Sequence, residues 1–297
     1  MITPIPQQSP YAVRKIDVEF TLGTGDFGAA GQNRLTISGA RVYAHVQNVV
    51  APHMSADLSL RIYGMTLDHI NAISVAGLLW AARENRIKVD AGDEVSGMTT
   101  VFDGLIYEAY PNFDGDADSR HFYVVGIASR IAQLKPVPAS SYPGSVPAAQ
   151  VIETLAKQAG FTLKNDGVTA VLASPYFWGT AWQQIQAAVR AANCYAGLDS
   201  VSKTLTIWPK DAAPGDVTVT VSKETGMIGY PRFQDVQVIV RTMFNPIFNL
   251  SPGTSVSVKS DLKAADGKIR LTFISHELSS QMPGGPWETL LIGVRAP

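Results

Sequence analysis

Hydrophobic and polar residues alternate with a period of two along the N-terminal part of the chain. Ile16, Val18 and Phe20 form one apolar row, and the residues between them are polar or charged. Such alternation is typical of a strand with one buried face and one face in water. It predicts strands within 14–23, 33–48, 56–64, 85–93, 99–113 and 119–130, and the last two form a hairpin around a polar loop.

A short helix is predicted between two of these strands, over Thr66–Ile73. Its apolar residues Leu67, Ile70 and Ile73 share one face, and Thr66 or Asp68 is suited to cap its N-terminus. Residues 1–12 contain three prolines and no clear periodicity, so we expect an extended arm there.

The period changes after residues 135–147, a stretch with four prolines and several small polar residues that is the clearest linker in the chain. Apolar residues then recur at helical spacing over 147–160, where Pro147 suits a helix start and Gly160 the position after a helix end. A second helix is predicted over 180–193, with Thr180 and Gln183 at capping-box spacing. A strand follows at 204–209.

Strand-type alternation returns from about residue 213, in 216–222, 235–244, 254–260, 268–278 and 287–294. The order is therefore β-rich, short α/β, β-rich, which predicts a mainly β fold with an α/β insertion. We place the divisions at 1–135, 136–212 (a linker and a small α/β domain) and 213–297. The sequence shows no repeat of fixed period, but the two β-rich parts could still be similar in structure, because pattern specifies antiparallel barrels more than identity does.

Composition narrows the class of protein. The 297 residues are 46% hydrophobic and only 16% charged, below the roughly 25% charged residues of an average soluble domain. A surface so poor in charge suits large contacts with partners, although a β-rich surface of uncharged polar residues explains it equally well. The net charge of −1 offers no general surface for binding nucleic acid.

The cysteine content, the N-terminal segment and the length of the apolar stretches bear on where the protein is made. Cys194 is the one cysteine, so an intrachain disulfide is excluded and folding in a reducing cytoplasm fits. The first fifteen residues have no apolar core of a signal peptide. The longest apolar stretch, Ile73–Ala82, is shorter than the ~20 residues that span a bilayer. We expect a soluble protein, without membrane insertion, that is made in the cytoplasm.

Two motifs resemble binding sites but lack the required context. Gly23–Gly28 matches the dinucleotide fingerprint, yet a strand is predicted where that chemistry needs a helix N-terminus, so a hairpin loop is favoured. Asp114, Asp116 and Asp118 have the spacing of calcium-loop ligands. Ser119 and Val125 occupy the positions that require Gly and Glu, so a solvated hairpin tip is favoured over a weak cation site.

No catalytic residue, cofactor or metal ligand set is predicted. The five histidines have no metal-binding spacing, and Cys194 is expected to be a buried apolar residue at a helix end. A peptidoglycan hydrolase would need a paired acid and base, which the sequence does not reveal among Glu84, Asp93, Glu94, Asp103 and Glu108. The aromatic run 176–178 is expected to pack the α/β domain, with a carbohydrate platform as the alternative.

The chain resembles baseplate hub proteins of tailed phages, in particular the T4-type central hub and the late control protein D families. The strongest resemblance is in segments 226–233 (GMIGYPRF), 236–246, 253–260, 273–280 and 284–293. Segments 60–74, 87–93 and 101–113 agree more weakly, and 147–163 fits the usual insertion. The resemblance covers about 14–295 and consists of turns and strand patterns. It departs at 78–86, where related sequences tend to be shorter.

This resemblance implies a fold and a function. Such hubs have two tail-tube-like antiparallel β-barrel domains flanking a small α/β domain. They form homotrimeric rings with pseudo-sixfold symmetry that join the hexameric tail tube to the trimeric spike. Implied partners are the tube, spike and wedge proteins of the baseplate, with DNA only in passage through the lumen. The implied location is the virion tail, assembled in the host cytoplasm. Such hubs occur in contractile and non-contractile tails, and the contractile type is favoured.

Inter-subunit contacts are predicted in the loops that carry Pro, Asn and aromatic residues, although ordinary turns would explain these residues equally well. The residues are Tyr230, Pro231, Phe233, Phe244, Asn245 and Pro246. We therefore predict a structural protein and not an enzyme. The alternatives are a tail-associated peptidoglycan hydrolase and a carbohydrate- or receptor-binding tail protein.

Overall fold

The computed structural model describes residues 12–28, 31–50, 54–74, 84–116, 119–213 and 215–295. Residues 1–11 of the predicted arm and 75–83, which include most of the 78–86 stretch, lie outside the described residues. The fold is mainly β, with a large and mostly antiparallel sheet and few helices.

The N-terminal unit consists of the following elements: β1 (Arg14–Thr21), β2 (Arg34–Ile37), β3 (Val42–Val49), β4 (Ser55–Ile62), α1 (Leu67–Ile73), β5 (Arg86–Asp93), β6 (Gly97–Asn112) and β7 (His121–Ile127). A short helix, α2 (Arg130–Leu134), leads from the N-terminal unit into the insert. The insert consists of β8 (Ser140–Ser141), β9 (Ser145–Pro147), α3 (Ala148–Gln158), β10 (Thr162–Asn165), β11 (Val171–Ala173), β12 (Tyr176–Phe177), α4 (Ala181–Ala191), β13 (Cys194–Asp199) and β14 (Thr204–Pro209). The C-terminal unit consists of β15 (Val217–Val221), β16 (Arg232–Gln234), β17 (Gln237–Met243), β18 (Ser255–Val258), β19 (Gly267–Ser280) and β20 (Trp287–Val294).

The period-two pattern predicts the long strands correctly. In β1, Ile16, Val18 and Phe20 are buried while the residues between them are half-buried, and β3 shows the same alternation. The helix predictions also hold. Thr66 caps α1 through its side chain, and Gly160 follows α3 in the left-handed conformation.

The insert packs two helices against a small sheet of β10, β14 and β13. Thr180 and Gln183 form the predicted capping box at the start of α4. The stretch predicted as a linker is more ordered than a linker needs to be, since β8 pairs with β12 and β9 pairs with β11. Cys194 is buried as predicted, but it begins β13 and does not end a helix.

The same strand order occurs in both flanking units. The N-terminal unit has the order β3-β4-β7-β6-β5-β1, and the C-terminal unit has β16-β17-β20-β19-β18-β15. In each unit, a first hairpin (β3–β4 or β16–β17) pairs with the last strand of a second hairpin (β6–β7 or β19–β20). The long first strand of the second hairpin then also pairs with a further strand, β5 or β18. The units differ at the end, because β1 runs antiparallel to β5 while β15 runs parallel to β18. The C-terminal unit therefore repeats the topology of the N-terminal unit without repeating its sequence.

One ladder joins the two units into a single sheet. The second half of β19 pairs antiparallel with β3, from Phe273 opposite Val49 to Ser280 opposite Val42. The first half of β19 pairs instead with β18, and a β-bulge separates the halves. We call the β3–β19 ladder the seam. It crosses more than two hundred residues of sequence, so it forms only when both units are folded.

Side chains close the seam on its buried face. Phe244 packs edge-on against His276 and Trp287, with ring centroids 5.2 and 5.3 Å apart. Leu278 is fully buried and belongs to the hydrophobic core of the N-terminal unit, as do Phe244 and Trp287. The C-terminal segment thus contributes to the core of the N-terminal unit as well as to its own.

Polar contacts fix the insert between the units. The Nζ of Lys203 donates to the carbonyl oxygen of Asp103 at 2.6 Å, and burial lowers the pKa of this lysine. On the other side, Arg270 pairs with Asp166, and the Ser251 hydroxyl donates to Asp199 at 2.5 Å. These contacts set the position of the insert relative to the sheet.

Protonation of His276 should weaken the seam. Burial, with a smaller contribution from nearby His45, lowers the pKa of His276 from 6.5 to about 3. The unfolded chain binds this proton near pH 6.5 and the folded chain does not. Stability is therefore complete above pH 6.5 and falls as the pH drops towards 3, by on the order of a few kcal/mol.

Urea denaturation at pH 7, 5 and 4 measures this effect. The His276→Gln variant keeps a polar group near Thr289 but does not titrate, so its stability should depend less on pH. The matched control is His45→Gln at the half-exposed neighbour, which should keep the wild-type decline. Equal pH profiles for the wild type and His276→Gln would contradict the assignment.

Candidate assembly surfaces

The polar face of the seam is held by side-chain hydrogen bonds. The Tyr43 hydroxyl donates to Glu277 at 2.5 Å, and His45 lies 2.9 Å from the Ser275 hydroxyl. Burial and this bond to Glu277 raise the pKa of Tyr43 to about 12. The seam is thus stabilised on both faces, by apolar packing on one face and by polar contacts on the other.

A strand edge with exposed aromatic residues lies at one end of the sheet. Strand β16 pairs with β17 on one side, and among the described residues no strand pairs with its other side. Tyr230 and Phe233 are 67% and 47% exposed, and Val236 is also exposed. Arg295 lies over the ring of Phe233 at 5.9 Å. We call this region the β16 edge.

The predicted contact residues divide into two groups. Tyr230 and Phe233 lie on the β16 edge with their rings exposed, and Pro231 lies between them with its side chain buried. Phe244 and Asn245 are instead buried within the chain.

The second loop thus serves an internal role. Phe244 packs in the core beside the seam, and the Asn245 amide donates to the Ser96 hydroxyl at 3.4 Å. Pro246 begins a short 3-10 turn, where its missing N–H costs nothing. Phe244 and Asn245 thus connect the C-terminal unit to the N-terminal unit from within the chain, and Pro246 is half-buried.

A second group of exposed aromatic residues was not singled out by the sequence. Tyr107, Tyr110 and Phe113 lie on or just after the second half of β6, and each is about two-fifths exposed. This half of β6 pairs with β7 on one side, and no other described strand pairs with its far side. We call this region the β6 edge.

Tyr110 lies on the water-facing row of its strand with Glu108 and Asn112, and an exposed aromatic ring in that row indicates a contact surface. Phe113 follows on the opposite row, which includes Pro111 and the buried Ala109.

The motifs examined for binding chemistry do not form sites. Gly23–Gly28 lies in the loop between β1 and β2, as predicted, with the Leu22 N–H bonded to the Asn33 carbonyl oxygen at 2.9 Å. Asp114 and Asp116 lie in the exposed β6–β7 loop, and Asp118 is outside the described residues. Within the described ranges, no three His, Cys, Asp or Glu side chains are grouped as metal ligands would be.

Three of the five acidic residues considered for catalysis have structural partners. Asp103 pairs with Arg86 at 2.9 Å, and Glu94 pairs with Lys15 at 2.9 Å. Asp93 accepts hydrogen bonds from the backbone of the turn that follows it. These carboxylates stabilise ion pairs and turns of the N-terminal unit.

The aromatic run of the insert only partly packs as predicted. Phe177 is buried in the core of the insert, whereas Tyr176 and Trp178 are 62% and 72% exposed. The expectation that all three residues pack the insert is therefore wrong for two of them. The side chains of adjacent strand residues point to opposite faces, so a run of three cannot bury all its rings on one side.

The solved structures that this chain resembles are tail proteins. A 43 kDa tail protein of prophage MuSo2 from Shewanella oneidensis aligns with a TM-score of 0.59 and 11% identity, over 94% of this chain and 97% of that one. A tail protein from Neisseria meningitidis MC58 aligns with the same score and identity, over 94% and 96%. At these identities the likeness shows the fold, which is that of phage tail proteins.

A third similar structure comes from a secretion system. It is the Escherichia coli c3393 protein, a component of the type VI secretion system, described as structurally similar to the T4 bacteriophage tail proteins gp27 and gp5. It aligns with a TM-score of 0.56 and 7% identity, over 86% of this chain and 73% of that one. No curated protein sequence matches the chain.

The family is shown by a sequence model. The model of baseplate hub gp41 matches residues 69–281, well over half of the chain. The chain therefore belongs to the baseplate hub gp41 family, and it is a structural component of a phage tail baseplate. None of the helices in the described ranges is long and apolar enough to cross a membrane.

Truncating Leu278 at the seam should destabilise the whole chain. Removing a fully buried leucine side chain typically costs about 2–5 kcal/mol, because the lost contacts leave a cavity. We expect a loss of this size for Leu278→Ala, measured by urea denaturation at pH 7. The control is Leu262→Ala, since Leu262 is 41% exposed and should cost about 0.5 kcal/mol or less. A neutral Leu278→Ala variant would show that the seam does not support the fold.

Proposed function

We propose that this baseplate hub assembles as a homotrimeric ring with pseudo-sixfold symmetry, which joins the hexameric tail tube to the trimeric spike and lines the channel for DNA. Each chain contributes two tube-like β-barrel domains, 1–135 and 213–297, with the insert in 136–212 outside the ring wall. The observation that carries the proposal is the strand order that occurs twice in one chain. Three copies of a twice-repeated unit supply six similar positions, which match a sixfold tube on one face and a threefold spike on the other.

The seam supports the idea of a continuous wall. The two units within a chain meet strand to strand and not through loops. If neighbouring chains meet in the same way, the sheets form one closed surface, and closure removes the unpaired edges that would otherwise favour aggregation.

The net charge supports passage of DNA without capture. The chain has a net charge of −1, with 24 basic and 25 acidic residues. Tight binding of DNA would require an excess of cations to neutralise phosphates, and a chain without that excess suits a conduit through which DNA passes.

Similar structures support the partners in this proposal. One of them is described by its likeness to gp27 and gp5, two T4 tail proteins. We infer that the present chain contacts the tube, the spike and wedge proteins in the virion, after synthesis in the host cytoplasm, and that its role there is structural and not enzymatic.

Placing charge on the β16 edge should weaken assembly and leave folding intact. Tyr230 and Phe233 are exposed, so Tyr230→Asp/Phe233→Asp should change the free energy of unfolding little. An unpaired carboxylate buried in an apolar contact is strongly unfavourable. Native mass spectrometry, alone and with the spike protein, should therefore show loss of the trimer.

The control is Trp178→Asp, which alters an aromatic residue of similar exposure in the insert. It should leave the oligomer unchanged. A double variant that still forms wild-type rings in electron micrographs would refute a role for the β16 edge, and a wild-type chain that never forms a trimer would refute the ring itself.

A further inference from the structure

The repeat allows each strand of one unit to be matched with a strand of the other. In β6 the register shifts between Ile106 and Glu108, and in β19 it shifts between Leu271 and Phe273. At both bulges the long strand leaves its first neighbour, β5 in one unit and β18 in the other. When β6 is aligned with β19 at these bulges, the strands of the two units align without gaps. Gly126 of β7 is then equivalent to Gly293 of β20, because each glycine pairs with the residue just before the bulge.

The match shows that the two strands equivalent to the seam strands each have an unpaired side in the described part of the chain. Beyond its bulge, β19 is covered by β3. The corresponding half of β6 has no strand on that side among the described residues. The counterpart of β3 is β16, whose outer side is likewise uncovered in the described part of the chain. The β6 edge and the β16 edge therefore correspond to the two sides of the seam.

We propose that the β16 edge of one copy docks on the β6 edge of the next copy, in the register of the seam. We call this contact between copies the joint. The partner is thus a second copy of this chain, in a head-to-tail contact that repeats around the ring. This inference rests on the proposed function, and it specifies which surfaces close the ring.

The register follows from pairs within each unit. Leu58 pairs with Val46, and the matching residue Val238 pairs with Phe233, so Phe233 takes the position of Val46. His276 lies opposite Val46 in the seam and corresponds to Pro111. Phe233 of one copy therefore lies opposite Pro111 of the next.

Two residues further along, Phe113 corresponds to Leu278, and Pro231 corresponds to Ala44, which lies opposite Leu278 in the seam. Phe113 of one copy therefore lies opposite Pro231 of the next. The predicted joint thus brings two phenylalanines and two prolines together.

Two residues of the seam are buried, whereas the equivalent residues of the β6 and β16 edges are exposed. Val46 and Leu278 are both 0% exposed, because each is covered from the other unit. Their counterparts Phe233 and Phe113 are 47% and 44% exposed in the single chain. These two positions are core in the seam and open at the two edges, which is the difference expected if a neighbouring copy completes them. Pro231, the counterpart of the buried Ala44, is already buried within its own chain.

The prolines change the chemistry of the joint. Pro111 and Pro231 have no N–H, so a ladder between these edges has fewer hydrogen bonds than the seam. The contact between copies should therefore depend on packing of Phe113 and Phe233 more than on backbone pairing, and it should be weaker than the seam. Prolines on an edge also prevent pairing with unrelated strands.

Charged residues surround a cavity at one end of the joint. This cavity of about 490 Å³ beside the β16 edge is lined by Tyr230, by three lysines (Lys223, Lys259 and Lys263) and by two carboxylates (Glu224 and Asp261). In the predicted register, the chain that leaves Phe113 runs towards this cavity. That chain is the exposed β6–β7 loop, with the acidic residues Asp114 and Asp116. The lysines of the cavity outnumber its carboxylates by one, so an approaching acidic loop gains only a small electrostatic preference.

Disulfide trapping tests the register directly. His45 lies opposite Glu277 in the seam, so their counterparts Arg232 and Asn112 should be opposite each other between copies. Cysteines at opposed positions of antiparallel strands are close enough for a disulfide, and the native Cys194 is buried. On oxidation, Asn112→Cys/Arg232→Cys should give about ten-fold more covalent oligomer than either single variant, because the thiols are held at high effective concentration.

The control pair Thr36→Cys/Arg232→Cys tests strand β2, which forms the other end of the sheet path. This pair should not cross-link. Wild-type rings without a cross-link through Asn112 would overturn the joint and leave the ring in place. A wild-type chain that forms no oligomer, either alone or in isolated tails, would overturn the ring and the joint together.

Complementation tests the head-to-tail geometry. Phe113→Asp and Phe233→Asp each damage a different half of the joint, so neither variant should form rings. A mixture retains one intact joint between unlike chains and should give a heterodimer in native mass spectrometry. Phe113→Asp/Phe233→Asp in one chain should remain a monomer with any partner. If the wild type assembles and the mixture gives no heterodimer, the inference is wrong.

Discussion

The hydrogen-bonded ladder between β3 and β19 is the contact on which the rest of the structure depends. It joins segments that are distant in sequence, and its buried face includes Phe244, His276 and Leu278. Without it, the sheet would separate into two smaller sheets, each with an additional unpaired edge and an opened core. The cost of closing so long a loop is offset by burial on one face and by hydrogen bonds on the other.

Much of the fold follows from the sequence alone. The period-two pattern specifies the long strands, and local signals such as the Thr180–Gln183 capping box specify the helices. These signals suffice because they act over a few residues. The baseplate hub resemblance was carried by the same turns and strand patterns, and the family match confirms it.

Pairing between distant segments could not be predicted in the same way. Nothing in the local pattern says that β19 changes neighbours at a bulge, or that β3 is the strand it meets. For the same reason the sequence left two interpretations of the loop with Phe244 and Asn245, an inter-subunit contact or an ordinary turn, and in the structure tertiary contacts bury both residues. Aromatic residues in loops signal a contact, but the sequence does not say whether the contact lies within the chain or outside it.

The repeated topology places equivalent strands in two different kinds of contact, one within the chain and one at its unpaired edges. The seam uses full backbone pairing and a sealed core, which suits a contact that forms once during folding. The β6 and β16 edges carry prolines and exposed rings, which suits a contact that forms later, between finished subunits. The insert is fixed by polar contacts to both units, so its position follows theirs.

The edge prolines have a consequence for aggregation. A strand edge without regular N–H donors is a poor template for the growth of fibrils. Contacts at such an edge depend on the shape of the partner's side chains, so a strand with an unrelated sequence gains little by adding to the sheet there.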